Sequence, residues 1–206
     1  MPRSAAPPDC NPRCAKLCRV TELTRALLLA AADLVAARGS RGLRMADVAS
    51  RAGVSRQSVY NEFGNKDRLV QAVALFKAGE FLDGMRERFR AAPDPVEGLR
   101  LGLGFAFALA VEDPLARSVF TGANAEDLLP LLTTRGQPVL ALATSVFAQH
   151  IGAHWPALPA ARVRLTAETV VRLALSHLLT PSRHFPPGSR RVEAVVAVAE
   201  ALLREP

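Results

Sequence analysis

The sequence predicts an all-α fold of about nine helices. Apolar residues recur at steps of three and four along most of the 206 residues, which gives successive helices one apolar stripe each. Alternating, strand-like segments with glycine-bearing turns are hard to find. No apolar run reaches the ~18 residues that would span a membrane, and the N-terminus lacks the continuous apolar stretch of a signal peptide. We therefore expect a globular helical protein without a membrane segment, located in the cytoplasm.

The first helix is predicted over residues 21–38, because Leu27 and Leu34 lie on one face of it and Gly39 ends it. Residues 1–20 come before this helix and are rich in proline, arginine and cysteine. Their composition differs from the patterned sequence that follows. We expect them to form a disordered N-terminal extension.

Later helices are marked by their caps. A long connecting helix is predicted over residues 65–91. Asp94 with Pro95, and again Asp113 with Pro114, place an N-cap residue before a first-turn proline, so a helix should start at each pair. The remaining predicted helices are separated by glycine or proline and lie within residues 126–153, 161–179 and 190–203.

Positive charge is concentrated in the N-terminal third. The chain has a net charge of +7, and residues 1–70 hold 12 Lys and Arg against 6 Asp and Glu. Residues 71–206 are close to neutral, with 14 against 13. This asymmetry favours binding of nucleic acid, although a solvated basic face would give the same count. The chain is therefore predicted to divide into a basic N-terminal unit over residues 21–66 and a larger, nearly neutral unit over residues 67–206.

Residues 44–61, RMADVASRAGVSRQSVYN, have the pattern of a helix-turn-helix. Val48 and Val59 are placed for a shared core, and Ala49 is small enough for the second helix to cross closely over the first. Gly53 suits a left-handed turn between them, and Ser55 is placed to cap the second helix.

If the second helix of this motif enters a major groove, its exposed side chains meet base edges. Arginine suits guanine, and Gln or Asn suits adenine. Lys66 begins the next helix, where free backbone N–H groups also favour a phosphate. The residues predicted to contact DNA are Arg44, Ser55, Arg56, Gln57, Ser58, Tyr60, Asn61 and Lys66.

The segments TRALLLAAADLVAARG, MADVASRAGVS and SVYNEFGNKDRL, within residues 21–73, closely resemble the N-terminal domain of the tetracycline-repressor (TetR) family. The resemblance implies a homodimer that grips a palindromic operator in double-stranded DNA. It also implies that a small-molecule effector changes the separation of the two DNA-binding domains of the dimer, each of which we call a reading head. This change usually releases a repressor from its operator. Arg44 stands where many members of the family have a capping threonine, and Ala46 stands where some have a polar residue that contacts a base. Most of the sequence specificity is therefore left to residues 56–61.

The resemblance implies that residues 21–66 form the DNA-binding domain and residues 67–206 the effector-binding and dimerisation domain. It places the effector pocket among the helices of the larger domain, where aromatic and aliphatic residues suit an apolar ligand. The candidate ligand contacts are Phe105, Leu109, Phe120, Asn124, Phe147 and His150. The last two predicted helices, over residues 161–179 and 190–203, carry apolar stripes that are broader than packing against one neighbouring helix would bury. We expect them to form a four-helix dimer interface.

Two other functions fit parts of the pattern. His150 and His154 lie one helical turn apart, as zinc ligands in a helical metal-dependent enzyme do. However, no cysteine or carboxylate stands near them in sequence, and glycine-rich phosphate loops and nucleophile elbows are absent. The polar helical hairpin would also suit a protein-binding adaptor. We expect no enzymatic activity, no metal site and no cofactor.

Overall fold

The computed structural model describes residues 12–121, 128–180 and 189–204. Within these ranges it has nine α-helices, a short 3₁₀ turn at Leu129–Leu131 and no strand, which confirms the all-α prediction. The helices are α1 (Pro12–Arg38), α2 (Met45–Arg51), α3 (Arg56–Phe63), α4 (Lys66–Ala91), α5 (Pro95–Glu112), α6 (Pro114–Thr121), α7 (Gln137–His154), α8 (Ala160–Leu179) and α9 (Ser189–Leu203).

Helix α1 starts nine residues earlier than the sequence pattern suggested. Residues 12–20, which we expected to be disordered, are helical, and residues 1–11 lie outside the described part of the chain. Pro12 is the first residue of the helix, where its missing N–H is not needed for an intrahelical hydrogen bond. Proline at this position therefore permits the longer helix.

Two apolar cores divide the protein, and α4 runs through both. The N-terminal core joins α1, α2 and α3 to the first half of α4, through residues such as Leu69 and Val73. The larger core joins the second half of α4 to α5, α7, α8 and α9, through residues such as Met85 and Phe89. In the described ranges, every helix is too short or too polar to cross a membrane.

Helix α5 begins at the predicted cap. The Asp94 carboxylate accepts hydrogen bonds from the backbone N–H groups of Val96 and Glu97, at 3.0 and 2.8 Å. Only Ala92, Pro93 and Asp94 separate α4 from α5, so the two helices pack antiparallel. This pair forms one wall of the larger domain.

Candidate nucleic-acid interface and ligand cavity

Helices α2 and α3 form the predicted helix-turn-helix. Val48, Ala49 and Val59 are buried between them. Gly53 has a φ of 69° in the turn, a left-handed conformation that other residues adopt at a cost. The small residue and the glycine let α3 cross α2 closely, so that α3 presents its polar face outward.

The start of each short helix is capped differently. The Ser55 hydroxyl accepts a hydrogen bond from the Ser58 backbone N–H at 3.1 Å, and the two serine hydroxyls lie 2.9 Å apart. Arg44 occupies the N-cap position of α2 in an extended conformation without a side-chain capping bond. Ser55 thus stabilises α3, while the exposed Arg44 guanidinium is not engaged in capping α2.

Four of the predicted DNA contacts on α3 pair with each other at a spacing of four residues. Arg56 donates from Nη2 to the Tyr60 hydroxyl at 3.1 Å, and its guanidinium carbon lies 5.2 Å from the Tyr60 ring centroid. This hydrogen bond raises the pKa of Arg56. Gln57 donates from Nε2 to Asn61 Oδ1 at 2.8 Å. These pairs orient the side chains along the exposed face of α3.

Lys66 is the first residue of α4, as predicted. Its Nζ donates to the Arg41 carbonyl oxygen at 3.0 Å and so links the start of α4 to the loop after α1. An ammonium group carries three N–H donors, so this bond leaves two for a phosphate. Its role in phosphate binding stays a prediction.

Two ion pairs between α1 and α2 were missed from the sequence. Arg51 pairs with Asp33 at 2.7 Å, and Arg38 pairs with Asp47 at 3.2 Å. All four side chains are substantially exposed, so each pair contributes at most about 1 kcal/mol. Opposite charges were visible in the sequence, but only the packing of α1 on α2 brings them together. The pairs help to fix the position of the reading head.

A cavity of about 340 Å³ lies among α4, α5, α6, α7 and α8. Its walls are mostly aliphatic and aromatic, with Lys77, Glu80 and Asp113 as the charged residues of the lining. Lys77 donates to Glu80 at 2.9 Å, so the two opposite charges on the α4 side of the cavity largely neutralise each other. A cavity with this lining suits an apolar molecule.

The structure brings two of the six candidate ligand residues into this cavity. Phe105 and Leu109 line it. Phe147 is buried in the larger core, with its ring 5.4 Å from that of Phe89, and does not line the cavity. The Phe120 side chain and Asn124 lie outside the described residues. Sequence reasoning missed Leu115, Leu128 and Leu175, because no local pattern distinguishes a cavity-lining leucine from a core one.

His150, the remaining candidate, lines a separate groove beside the start of α5. It is buried, and its Nε2 donates to the Pro95 carbonyl oxygen at 2.9 Å. Burial lowers the pKa of His150, outweighing the hydrogen bond to Pro95. His154 uses Nδ1 to donate to the His150 carbonyl at 2.8 Å. In the described ranges, no cluster of three or more His, Cys, Asp or Glu side chains is arranged to hold a metal ion.

Two family patterns match the chain. Residues 27–73 match the family described as bacterial regulatory proteins, tetR family. Residues 94–200 match the family described as the C-terminal domain of the bacterial tetracyclin repressor. The first match spans the helix-turn-helix, and the second spans most of the cavity-forming helices.

Relatives and solved structures agree with these matches. The HTH-type transcriptional regulator AlkX of Mycobacterium tuberculosis is 34% identical over 166 residues, which are 78% of this chain and 79% of that protein. The HTH-type transcriptional activator FasR of Mycolicibacterium smegmatis is 31% identical over 87 residues, 42% of this chain and 40% of that protein. The crystal structure of the TetR family repressor AlkX from Dietzia sp., implicated in biodegradation of n-alkanes, has 28% identity and a TM-score of 0.70. It matches over 87% of this chain and 94% of its own.

The helix-turn-helix geometry and the two family matches indicate the same class of protein. Members of that class, the TetR-family regulators, bind DNA and are not enzymes. The chain belongs to the TetR family of DNA-binding transcriptional regulators.

Proposed function

We propose that this regulator is a cytoplasmic homodimeric repressor that leaves a palindromic operator when an apolar small molecule fills the cavity. The observation that carries the proposal is the position of Leu115 and Leu128. Both side chains line the cavity, and both belong to the N-terminal core together with α1 and α4. A molecule that displaces them acts directly on the packing beneath the reading head.

The described relatives support the repressor and the apolar ligand. The Dietzia protein is named as a repressor implicated in the biodegradation of n-alkanes, a process whose substrates are purely apolar. The cavity of this chain has the matching chemistry, since its lining is mostly aliphatic and aromatic. A hydrocarbon or a molecule with a long hydrocarbon part is therefore the proposed effector.

Operator binding is tested with a palindromic DNA segment near the protein's own gene. We expect the purified protein to protect this segment, and Arg56→Ala or Tyr60→Ala to abolish protection while the helical circular dichroism is unchanged. Arg90→Ala, which removes an exposed arginine from α4, outside both α3 and the proposed dimer interface, is the control and should bind like the wild type. Failure of the wild type to bind at low salt would overturn the proposal, because phosphate contacts are strongest there.

Release by ligand is tested with dodecan-1-ol as the probe. We expect it to dissociate the wild-type protein from the operator, measured by fluorescence anisotropy of labelled DNA. Ala143 lines the cavity on α7, so Ala143→Phe should fill the space and prevent release. Ala141→Phe, at an exposed position of the same helix, should be released normally. Equal release of both variants would place the effector elsewhere.

Repression is distinguished from activation by transcription of the adjacent gene in a strain that lacks the regulator. A repressor predicts increased transcription in the deletion strain, and an activator predicts decreased transcription. This transcription measurement is needed because the relative FasR is named as an activator.

The dimer interface is proposed on α8 and α9. Leu165 on α8 is 62% exposed and Val198 on α9 is 37% exposed, which leaves apolar surface uncovered in one protomer. We expect Leu165→Glu to give a monomer by light scattering at micromolar concentration. Val111 on α5 is also 62% exposed, so Val111→Glu is a matched control that should remain dimeric. A monomeric wild type would contradict the proposed interface.

A further inference from the structure

The lining of the cavity extends along α4 and α5. Its lining on α4 runs from Val73 to Leu82, which is roughly 14 Å at the rise of an α-helix. On the antiparallel helix α5, the lining runs from Leu109 to Phe105 in the same direction. Phe105 therefore lies at the end of the cavity that is farther from the reading head.

The Phe105 ring is held in place by three residues of one face of α4. Its centroid lies 5.8 Å from that of Phe81 in a stacked arrangement, and the Arg88 guanidinium carbon lies 3.7 Å from the same centroid. Arg88 is itself fixed by donating to the Gly84 carbonyl oxygen at 2.8 Å. Phe81, Gly84 and Arg88 follow one another at spacings of three and four residues, so they lie along one side of the helix.

Gly84 is the contact that leaves room for the ring. A Cβ atom at this position would lie 2.7 Å from two carbons of the Phe105 ring. Neither Gly84 nor Arg88 lines the cavity, whereas Phe81 and Phe105 do. Phe81 and Phe105 thus form part of the cavity wall, and Gly84 and Arg88 contact the Phe105 ring without lining the cavity.

We propose that Phe105 limits the length of the ligand, and that the ligand class is an unbranched aliphatic chain whose end meets this ring. The proposal rests on the proposed function of the cavity as an effector site. A chain that ends before Phe105 gains apolar contact with each added methylene group. A longer chain has to displace a ring that Phe81, Gly84 and Arg88 hold in place.

The test measures the affinity of the full-length protein for straight-chain alkan-1-ols from hexanol to tetradecanol by isothermal titration calorimetry. For the wild type, affinity should rise about fourfold for each methylene group and then stop rising at a break length. In Phe105→Ala the break should move to alcohols a few carbons longer. Phe105→Leu keeps an apolar side chain and should shift the break length by fewer carbons. This variant replaces Phe105→Ala in the test if the alanine variant does not fold.

Two glycine substitutions on α4 form a matched pair. Gly84→Ala places a methyl group against the Phe105 ring and should change the break length. Gly79→Ala makes the same chemical change in the same helix, where a Cβ would meet nothing within 4 Å, and should leave the break unchanged. An unchanged break in both Phe105 variants and in Gly84→Ala would overturn the role of Phe105. If the wild type binds none of the alcohols, the proposed function of the cavity fails instead.

Discussion

The helix-turn-helix and the cavity are built in opposite ways. The polar side chains of α3 that are predicted to contact DNA all lie within residues 56–61, and two pairs of them are joined by hydrogen bonds at a spacing of four residues. The cavity is instead an apolar space among five helices, and its lining ranges from Val73 to Leu178. A function carried by one exposed helix face is therefore visible in a short motif, whereas a function carried by the space between helices is not.

The two regions meet at α6 and the segment before α7. Leu115 and Leu128 contribute to the N-terminal core and also line the cavity. Helix α4 contributes to both cores as well. The helix-turn-helix and the cavity therefore differ in their chemistry but share part of their packing. Substitutions in each region should separate DNA binding from ligand binding.

The largest expected effect is loss of operator binding with retention of ligand binding. Ala49 is 3% exposed where α2 meets α3, so Ala49→Leu should overpack this contact at a cost of about 1–3 kcal/mol and displace α3. Operator affinity should fall below detection in an anisotropy titration, while calorimetry with dodecan-1-ol stays unchanged. Ala36→Leu, at an exposed position of α1, is the control. Loss of both activities would show that the regions fold as one unit.

A second substitution tests the connection between the regions. Leu115→Ala should weaken the packing shared by the cavity and the N-terminal core and lower the free energy of unfolding by about 2–5 kcal/mol. We expect operator binding to persist below the melting temperature, with much weaker release by dodecan-1-ol. Leu158 is also buried but belongs only to the larger core, so Leu158→Ala should lose stability and keep normal release. Normal release in Leu115→Ala would disprove the connection.

Local features of the fold could be predicted because single residues determine them. The Asp94 cap, the left-handed conformation of Gly53 and the Ser55 cap all follow from the chemistry of one side chain and its nearest neighbours. The start of α1 was misplaced because the proline-, arginine- and cysteine-rich composition of residues 1–20 was taken to indicate disorder, although proline is tolerated at the first helical position. Local rules are thus most reliable where one geometry is strongly preferred.

Long-range features could not be predicted because they depend on which helices become neighbours. The ion pair between Arg51 and Asp33 and the hydrogen bond from Lys66 to Arg41 join residues that have no helical spacing in common. Phe105 and Phe147 are both aromatic residues in apolar helices, but only Phe105 lines the cavity. The sequence shows that both are apolar, and packing alone decides which one faces the empty space.

A smaller effect is expected from pH, and it should be confined to the larger domain. Burial lowers the pKa of His150, with a further decrease from His154, whereas the unfolded chain takes up a proton near the ordinary value of about 6.5. Below that pH the unfolded state binds more protons, so stability falls as pH falls toward the lowered pKa of the folded state. The midpoint of urea unfolding should drop between about pH 7.5 and pH 5.5. His150→Gln should show a shallower drop, and an equally steep one would exclude His150 as the cause.

The smallest effect concerns a hydroxyl group inside α8. Thr166 is fully buried, and its Oγ1 has no hydrogen-bond partner among the described residues. Thr166→Val replaces the hydroxyl with a methyl group of similar shape, which should remove a desolvation cost and stabilise the protein by about 1 kcal/mol. In a chain of this size that corresponds to about 2–4 °C in the melting temperature. Thr169→Val, at a half-buried position of the same helix, is the control and should change it little. A decrease for Thr166→Val would mean that this hydroxyl has a partner in solution.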